Sequence, residues 1–250
     1  VKTVDINCDL GEGEDQLHCA RDAHIMRYIS RCNIACGGHA GNAETMRLSL
    51  INARRHQIAA GAHPGYPDRK NFGRISLKMP RQALLASVQE QIQALQSQAR
   101  EEQFALTHIK LHGALYNDAE TDDTLADDLV RMFSRAFPTL NILALANAAV
   151  ERAAHRHGYP VLREGFMDRR YLNDHQLSPR SMPEAVIEDF DQCLEQALAL
   201  TAGTTFPSID KKPLRFTVDS ICLHGDNPHA ELIAQNLQQA LQRAGYRLCR

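Results

Sequence analysis

Apolar residues along this chain fall into two kinds of run. The first kind is short and strand-like: Thr3–Leu10, Asn33–Cys36, Ala59–Ala62, Thr107–His112, Asn141–Ala146, Val161–Gly165 and Thr217–His224. Between these lie longer segments whose apolar positions recur every three or four residues, the period of a helix. In Pro80–Glu102 the residues Leu84, Leu85, Val88, Ile92, Leu95 and Ala99 form one stripe. Pro80 suits its first turn, where a missing N–H costs nothing. Met46, Leu48, Leu50 and Ile51 mark another helix, with Asn42 placed to cap it. A third, Asn227–Gly245, opens on Asn227-Pro228 and stops at a glycine. Strands separated by helices run parallel through crossover connections, so the class is α/β. No linker-like or charge-blocked stretch divides the chain, and one domain over residues 1–250 is expected. An open sheet and a closed barrel both satisfy the alternation. The placement of polar residues favours the barrel.

Five of the runs end alike, with polar or glycine residues directly after the apolar stretch. They are Ile6-Asn7-Cys8-Asp9-Leu10-Gly11-Glu12-Gly13, Asn33-Ile34-Ala35-Cys36-Gly37-Gly38-His39-Ala40-Gly41, Gly61-Ala62-His63-Pro64-Gly65, Ile109-Lys110-Leu111-His112-Gly113 and Ile221-Cys222-Leu223-His224-Gly225-Asp226. A sixth, Glu164-Gly165-Phe166-Met167-Asp168-Arg169-Arg170, ends another apolar run with charges. In parallel α/β folds the carboxyl ends of all strands face one side, so such groups converge on a pocket. Singly, each has an ordinary explanation. A strand-end histidine is usually a hydrogen-bonded structural residue, the glycines permit tight turns, and Asp226 starts a helix as readily as it catalyses. Turn chemistry does not call for histidine at four strand ends, and the joint pattern of His39, His63, His112 and His224 points to a shared site.

Composition narrows the chemistry. The 28 Lys and Arg nearly balance the 30 Asp and Glu, giving a formal net charge of −2. There is no concentrated basic surface for nucleic acid or acidic lipid. The seven cysteines are scattered without a Cys-x-x-Cys pair and read as reduced, buried thiols. No apolar signal core opens the sequence and no stretch is long enough to span a bilayer, so a cytoplasmic protein is expected. None of the 14 glycines precedes a lysine, which excludes the phosphate-cradling Gly-Lys-Ser/Thr loop. Gly-x-Ser-x-Gly and His-Glu-x-x-His are also missing. His155 and His157 lie two apart on an expected helix and cannot share a face. Asp9 with His63 and His112 offers donors for a divalent metal, while a metal-free acid–base site would use the same residues.

Taken in order, these motifs resemble the LamB/YcsF family, the A subunits of prokaryotic 5-oxoprolinase. The resemblance covers nearly the whole chain. It rests on Asp5-Ile6-Asn7-Cys8-Asp9-Leu10-Gly11-Glu12, the Asn33–Gly41 run and Gly61-Ala62-His63-Pro64-Gly65-Tyr66-Pro67-Asp68. It continues through Asn71-Phe72-Gly73-Arg74, Lys110-Leu111-His112-Gly113-Ala114-Leu115-Tyr116-Asn117, Asp168-Arg169 with Tyr171, Pro179-Arg180-Ser181 and Cys222-Leu223-His224-Gly225-Asp226. Leu111 replaces a usual proline, and Met167 a usual small residue; neither change removes a polar group. The resemblance implies a seven-stranded parallel β/α barrel similar to polysaccharide deacetylases. It also implies ATP-dependent opening of 5-oxoproline (pyroglutamate) to glutamate, with 5-oxoprolinase subunits B and C as partners.

The residues expected to do this work are Asp9, Glu12, His39, His63, Lys110, His112, Asp168, Arg169 and His224. Asp9 or Glu12 would activate water and a strand-end histidine would relay the proton. Lys110 and Arg169 would stabilise the oxyanion, with Asp168 orienting Arg169 and the backbone N–H groups of Gly37, Gly38 and Gly113 helping. His63, His112 or His224 would protonate the ring nitrogen. Two other readings share the pocket: a stand-alone metal-dependent amidase or deacetylase, and a non-catalytic metabolite-binding subunit. The charged stretch Tyr66–Lys78 is a solvated loop, a lid over the site or a partner contact.

Overall fold

A computed structural model describes residues 2–225 and 229–249. The Asp226 and Asn227-Pro228 expectations lie outside the described residues. All seven expected strands are present: β1 (Lys2–Leu10), β2 (Arg31–Ala35), β3 (Ala59–His63), β4 (His108–Lys110), β5 (Asn141–Leu145), β6 (Val161–Phe166) and, after the short strands β7 (Phe206–Pro207) and β8 (Pro213–Leu214), β9 (Ser220–His224). Each is parallel to its neighbours, in the order β1-β2-β3-β4-β5-β6-β9, and β9 pairs back onto β1 to close the barrel. A last strand, β10 (Tyr246–Leu248), runs parallel to the start of β1. The hydrophobic pattern, which ends at Gly245, does not anticipate it.

The connecting helices are α1 (Gln16–Ile25), α2 (Ala43–His56), α3 (Arg81–Glu101), α4 (Gly113–Thr121), α5 (Asp123–Ala136), α6 (Ala149–His157), α7 (Phe190–Ala202) and α8 (Ala230–Arg243). Asn42 caps α2 as expected, in a reciprocal box with Thr45. Pro80 is the residue just before α3, and Leu84, Val88, Ile92, Leu95 and Ala99 form that helix's buried stripe. No helix among the described residues is long and apolar enough to cross a membrane.

Alternation along β1 shows how the barrel is filled. Val4, Ile6, Cys8 and Leu10 are buried in the apolar core. The intervening Asp5, Asn7 and Asp9 make polar contacts with residues of other strands. Side chains of a strand alternate between faces, so this second set lines the lumen. Asp5 contacts Arg31 and Ser220, and Asn7 bonds Ser220 at 2.8 Å. Asn33 on β2 bonds His108 on β4 at 2.7 Å, although these strands are not neighbours. The bond therefore crosses the lumen. A polar interior of this kind is tolerated because its members satisfy one another, and it supports the charged layer above it.

Candidate active site

At the carboxyl end of the lumen, Lys110 of β4 reaches Asp9 Oδ1 on β1 at 2.9 Å and Glu164 Oε1 on β6 at 2.9 Å. Its ammonium also lies 3.2 Å from Asn7 Oδ1 and 3.2 Å from Cys222 Sγ. Asn33 Nδ2 donates to Asp9 Oδ1 at 2.7 Å. Burial alone would raise the Asp9 pKa, but His63 beside it and the Lys110 charge outweigh it and hold this carboxyl well below its usual range. Burial likewise works against the Lys110 charge, yet Asp9, Cys222 and Glu164 keep its pKa well above the ordinary lysine value. Burial pushes the Cys222 thiol up, which leaves it a poor nucleophile.

Three of the four strand-end histidines form one cluster. His63 Nδ1 bonds the Lys110 carbonyl at 2.9 Å, and His112 Nε2 bonds the Phe72 carbonyl at 2.9 Å. A carbonyl only accepts, so those two nitrogens carry the protons and the tautomers follow. The other nitrogens, His63 Nε2 and His112 Nδ1, face each other at 3.0 Å. His39 stacks on His112 with ring centroids 3.5 Å apart, and its Nε2 lies 3.1 Å from Glu12 Oε1. Its Nδ1 is buried without a hydrogen-bond partner. Burial drives the pKa of His39 down and, with His63 alongside, takes His112 to about 3. Most of the 66–78 stretch, with Arg69, Lys70, Arg74 and Lys78, is exposed, but Phe72 packs edge-on against His39 and His112 and Gly73 is buried, so part of it covers the cluster.

His224 stands apart from that cluster, with Nδ1 2.9 Å from Asp168 Oδ2. This corrects the expected pairing of Asp168 with Arg169. Arg169 instead donates to the Ser178 carbonyl at 2.6 Å, on a loop braced by Gln196. Burial disfavours the charged imidazole, but Asp168 prevails and raises the His224 pKa. A cavity of about 160 Å³ collects Asp9, His63, Lys110, His112, Arg169 and His224, with Arg74 and Arg180 also in its wall. A larger groove of about 790 Å³ opens on the other side of Asp9 and Glu12. His39 lies behind His112 rather than in the smaller cavity's wall.

Two further expectations change. The Gly37 N–H donates to the Ala40 carbonyl at 2.8 Å, so it is not offered to a substrate. The grouping of Asp9 with His63 and His112 as metal donors is drawn differently by the structure. Donor atoms within 4.8 Å of one another belong to Glu12, His39, His63 and His112, while Asp9 groups with Cys222 and His224. Glu164 opens the sixth run but is not among the expected site residues, and it joins the site through Lys110. A completely buried glutamate within an apolar strand is the available signal.

The chain matches the LamB/YcsF family over residues 4–250. It belongs to that family. A relative from Erwinia tasmaniensis, named as the A subunit of 5-oxoprolinase, is 42% identical over 97% of this chain and 97% of its own. The crystal structure of the lactam utilization protein from Thermus thermophilus superposes with a TM-score of 0.91 at 32% identity, covering 98% of each chain. A family 4 carbohydrate esterase from Streptomyces lividans, in complex with acetate, reaches a TM-score of 0.51 at 10% identity, over 100% of this chain and 92% of that one. That last likeness is one of fold alone, and it accords with the deacetylase-like barrel expected from the sequence.

Proposed function

We propose that this chain is the A subunit of an ATP-dependent 5-oxoprolinase, opening the lactam of 5-oxoproline to L-glutamate together with separate B and C subunits. From the site, one observation carries the reading. An anchored carboxylate and an imidazole paired to an acid share one cavity, with donor atoms of Asp9 and His224 within 4.8 Å of each other. The names of the Erwinia and Thermus relatives point to the same chemistry.

In this scheme Asp9 orients a water and accepts its proton as the water oxygen bonds to the lactam carbonyl carbon. The C–N bond then breaks, and the His224 imidazolium gives its proton to the departing ring nitrogen. Arg169 stabilises the oxyanion that forms in between. Lys110 acts through Asp9, which it positions and keeps ionised. A carboxylate held so far below its usual pKa is a weak base. It suffices only for a carbonyl made more electrophilic, and activation of the lactam oxygen at the expense of ATP supplies that. This chain has no Gly-Lys-Ser/Thr phosphate loop, so the scheme assigns nucleotide handling to the partners. Reduced cysteines and ATP use fit a cytoplasmic setting.

The test is 5-oxoproline turnover with ATP, comparing the chain alone, the partner subunits alone and the mixture. Turnover only in the mixture is expected. Turnover by the chain alone with a divalent metal and no ATP would make it a stand-alone amidase. An unchanged rate in mixtures carrying Asp9→Asn would leave it a metabolite-binding role only.

A further inference from the structure

The tautomers of His63 and His112 create an electrostatic problem. With Nδ1 of one and Nε2 of the other committed to backbone carbonyls, two lone pairs point at each other across 3.0 Å. Glu12 Oε1, a third acceptor, stands 3.4 Å from His112 Nδ1 and 4.0 Å from His63 Nε2. The two facing imidazole lone pairs repel unless a proton or a cation lies between them, and Glu12 brings a carboxylate donor to the same point. A single proton joins only two of the three atoms. A metal ion satisfies all three. The point equidistant from the three atoms lies about 2 Å from each, the bond length of a zinc-class ion to imidazole nitrogen and carboxylate oxygen.

We infer that Glu12, His63 and His112 form a binding site for one divalent transition-metal ion of the zinc class. The groups that would orient these donors are already in place. The Lys110 and Phe72 carbonyls fix the two imidazoles, and His39 Nε2 sits 3.1 Å from Glu12 Oε1, where an N–H would orient the carboxylate. His39 is thus a positioning residue. Two neutral imidazoles and one carboxylate leave a net positive charge on the bound ion, and Asp9, with Oδ2 3.4 Å from His63 Nε2, offsets it from beside the site. Three protein donors leave room for a further ligand, as in sites that present a polarised water.

The site is tested on the full chain without substrate, so its failure is separate from any failure of the lactam assignment. Chelator-treated protein is titrated with Zn²⁺ by calorimetry and with Co²⁺ by absorption spectroscopy. One equivalent is expected to bind, with the intense Co²⁺ bands of a low-coordinate nitrogen–oxygen site. Glu12→Gln and His112→Gln should each weaken Zn²⁺ binding by at least about 100-fold, and His39→Gln by about 10–100-fold. His155→Gln, at an exposed helical histidine, should change nothing. Circular dichroism checks that each variant folds; if one does not, the Co²⁺ spectrum of the unsubstituted chain decides. No saturable one-to-one binding, weak six-coordinate bands, or an affinity lost with Cys222→Ser but kept in Glu12→Gln would overturn the inference.

Discussion

The ammonium of Lys110 and the carboxylate of Asp9 meet at 2.9 Å across the lumen, between strands β4 and β1 that share no hydrogen-bonded edge. Glu164 touches the same ammonium from β6, also at 2.9 Å. One buried cation thus ties three strands together between a completely buried carboxylate, Glu164, and a partly exposed one, Asp9. Lys110→Met would leave Asp9 and Glu164 facing each other without it. Breaking a buried pair from one side costs about 3–5 kcal/mol, and urea unfolding should show a loss of that size. A loss under about 1 kcal/mol would place Lys110 with ordinary surface pairs.

Asp9→Asn separates chemistry from scaffolding at the same point. The amide keeps the volume and can still accept from Lys110 and Asn33, and Glu164 continues to pair the lysine. Folding should therefore survive, as judged by circular dichroism. Turnover of 5-oxoproline by the assembled subunits should fall by about 10²–10⁴. A fall mainly in substrate affinity would make Asp9 a binding group instead.

Much of this arrangement can be read from the chain, for a physical reason. Parallel strands covered by helices must be apolar, so β1 to β6 and β9 stand out as runs, and the polar residues that close them collect at one mouth. His63, His112 and His224 are legible on that ground alone. Pairings are not. Asp168 sits beside Arg169 in sequence yet bonds His224, because β6 and β9 are adjacent and their end loops meet. Glu164 stands in the sixth run without a role, because a glutamate within an apolar strand does not show which partner it meets across the lumen. Phe72 lies in a charged stretch whose packing against His39 and His112 depends on tertiary contacts. Strands β7, β8 and β10, of two or three residues each, are too short to show a period.

Gly113 follows His112 directly and has φ +57°. A Cβ added there would lie 2.6 Å from the Gly73 carbonyl oxygen, which accepts from the Ala114 N–H. Gly113→Ala therefore incurs the cost of a left-handed conformation, about 1–2 kcal/mol, and must also push away the loop that carries Phe72. Thermal unfolding should shift down by at least a few degrees for a chain of this length. Because the Phe72 carbonyl fixes the His112 ring, activity should fall more than the loss of folded protein explains. Unchanged stability and activity would mean that this loop gives way freely.

The pairing of His224 with Asp168 sets the direction of a pH effect. Burial alone would lower the imidazole pKa; the facing carboxylate raises it above its ordinary value. Burial alone would raise the carboxyl pKa, and His224 in turn lowers it. Below the raised imidazole pKa the pair is charged and His224 carries the proton it donates. Activity should fall as pH rises through the raised His224 pKa. The stability gained from the charged imidazole, present in full below its unfolded pKa, is lost over the same rise. Asp168→Asn removes the raising charge and leaves burial unopposed. The alkaline limb of the kcat/KM profile should then move to lower pH. If the limb stays in place, or moves to higher pH, another group protonates the ring nitrogen.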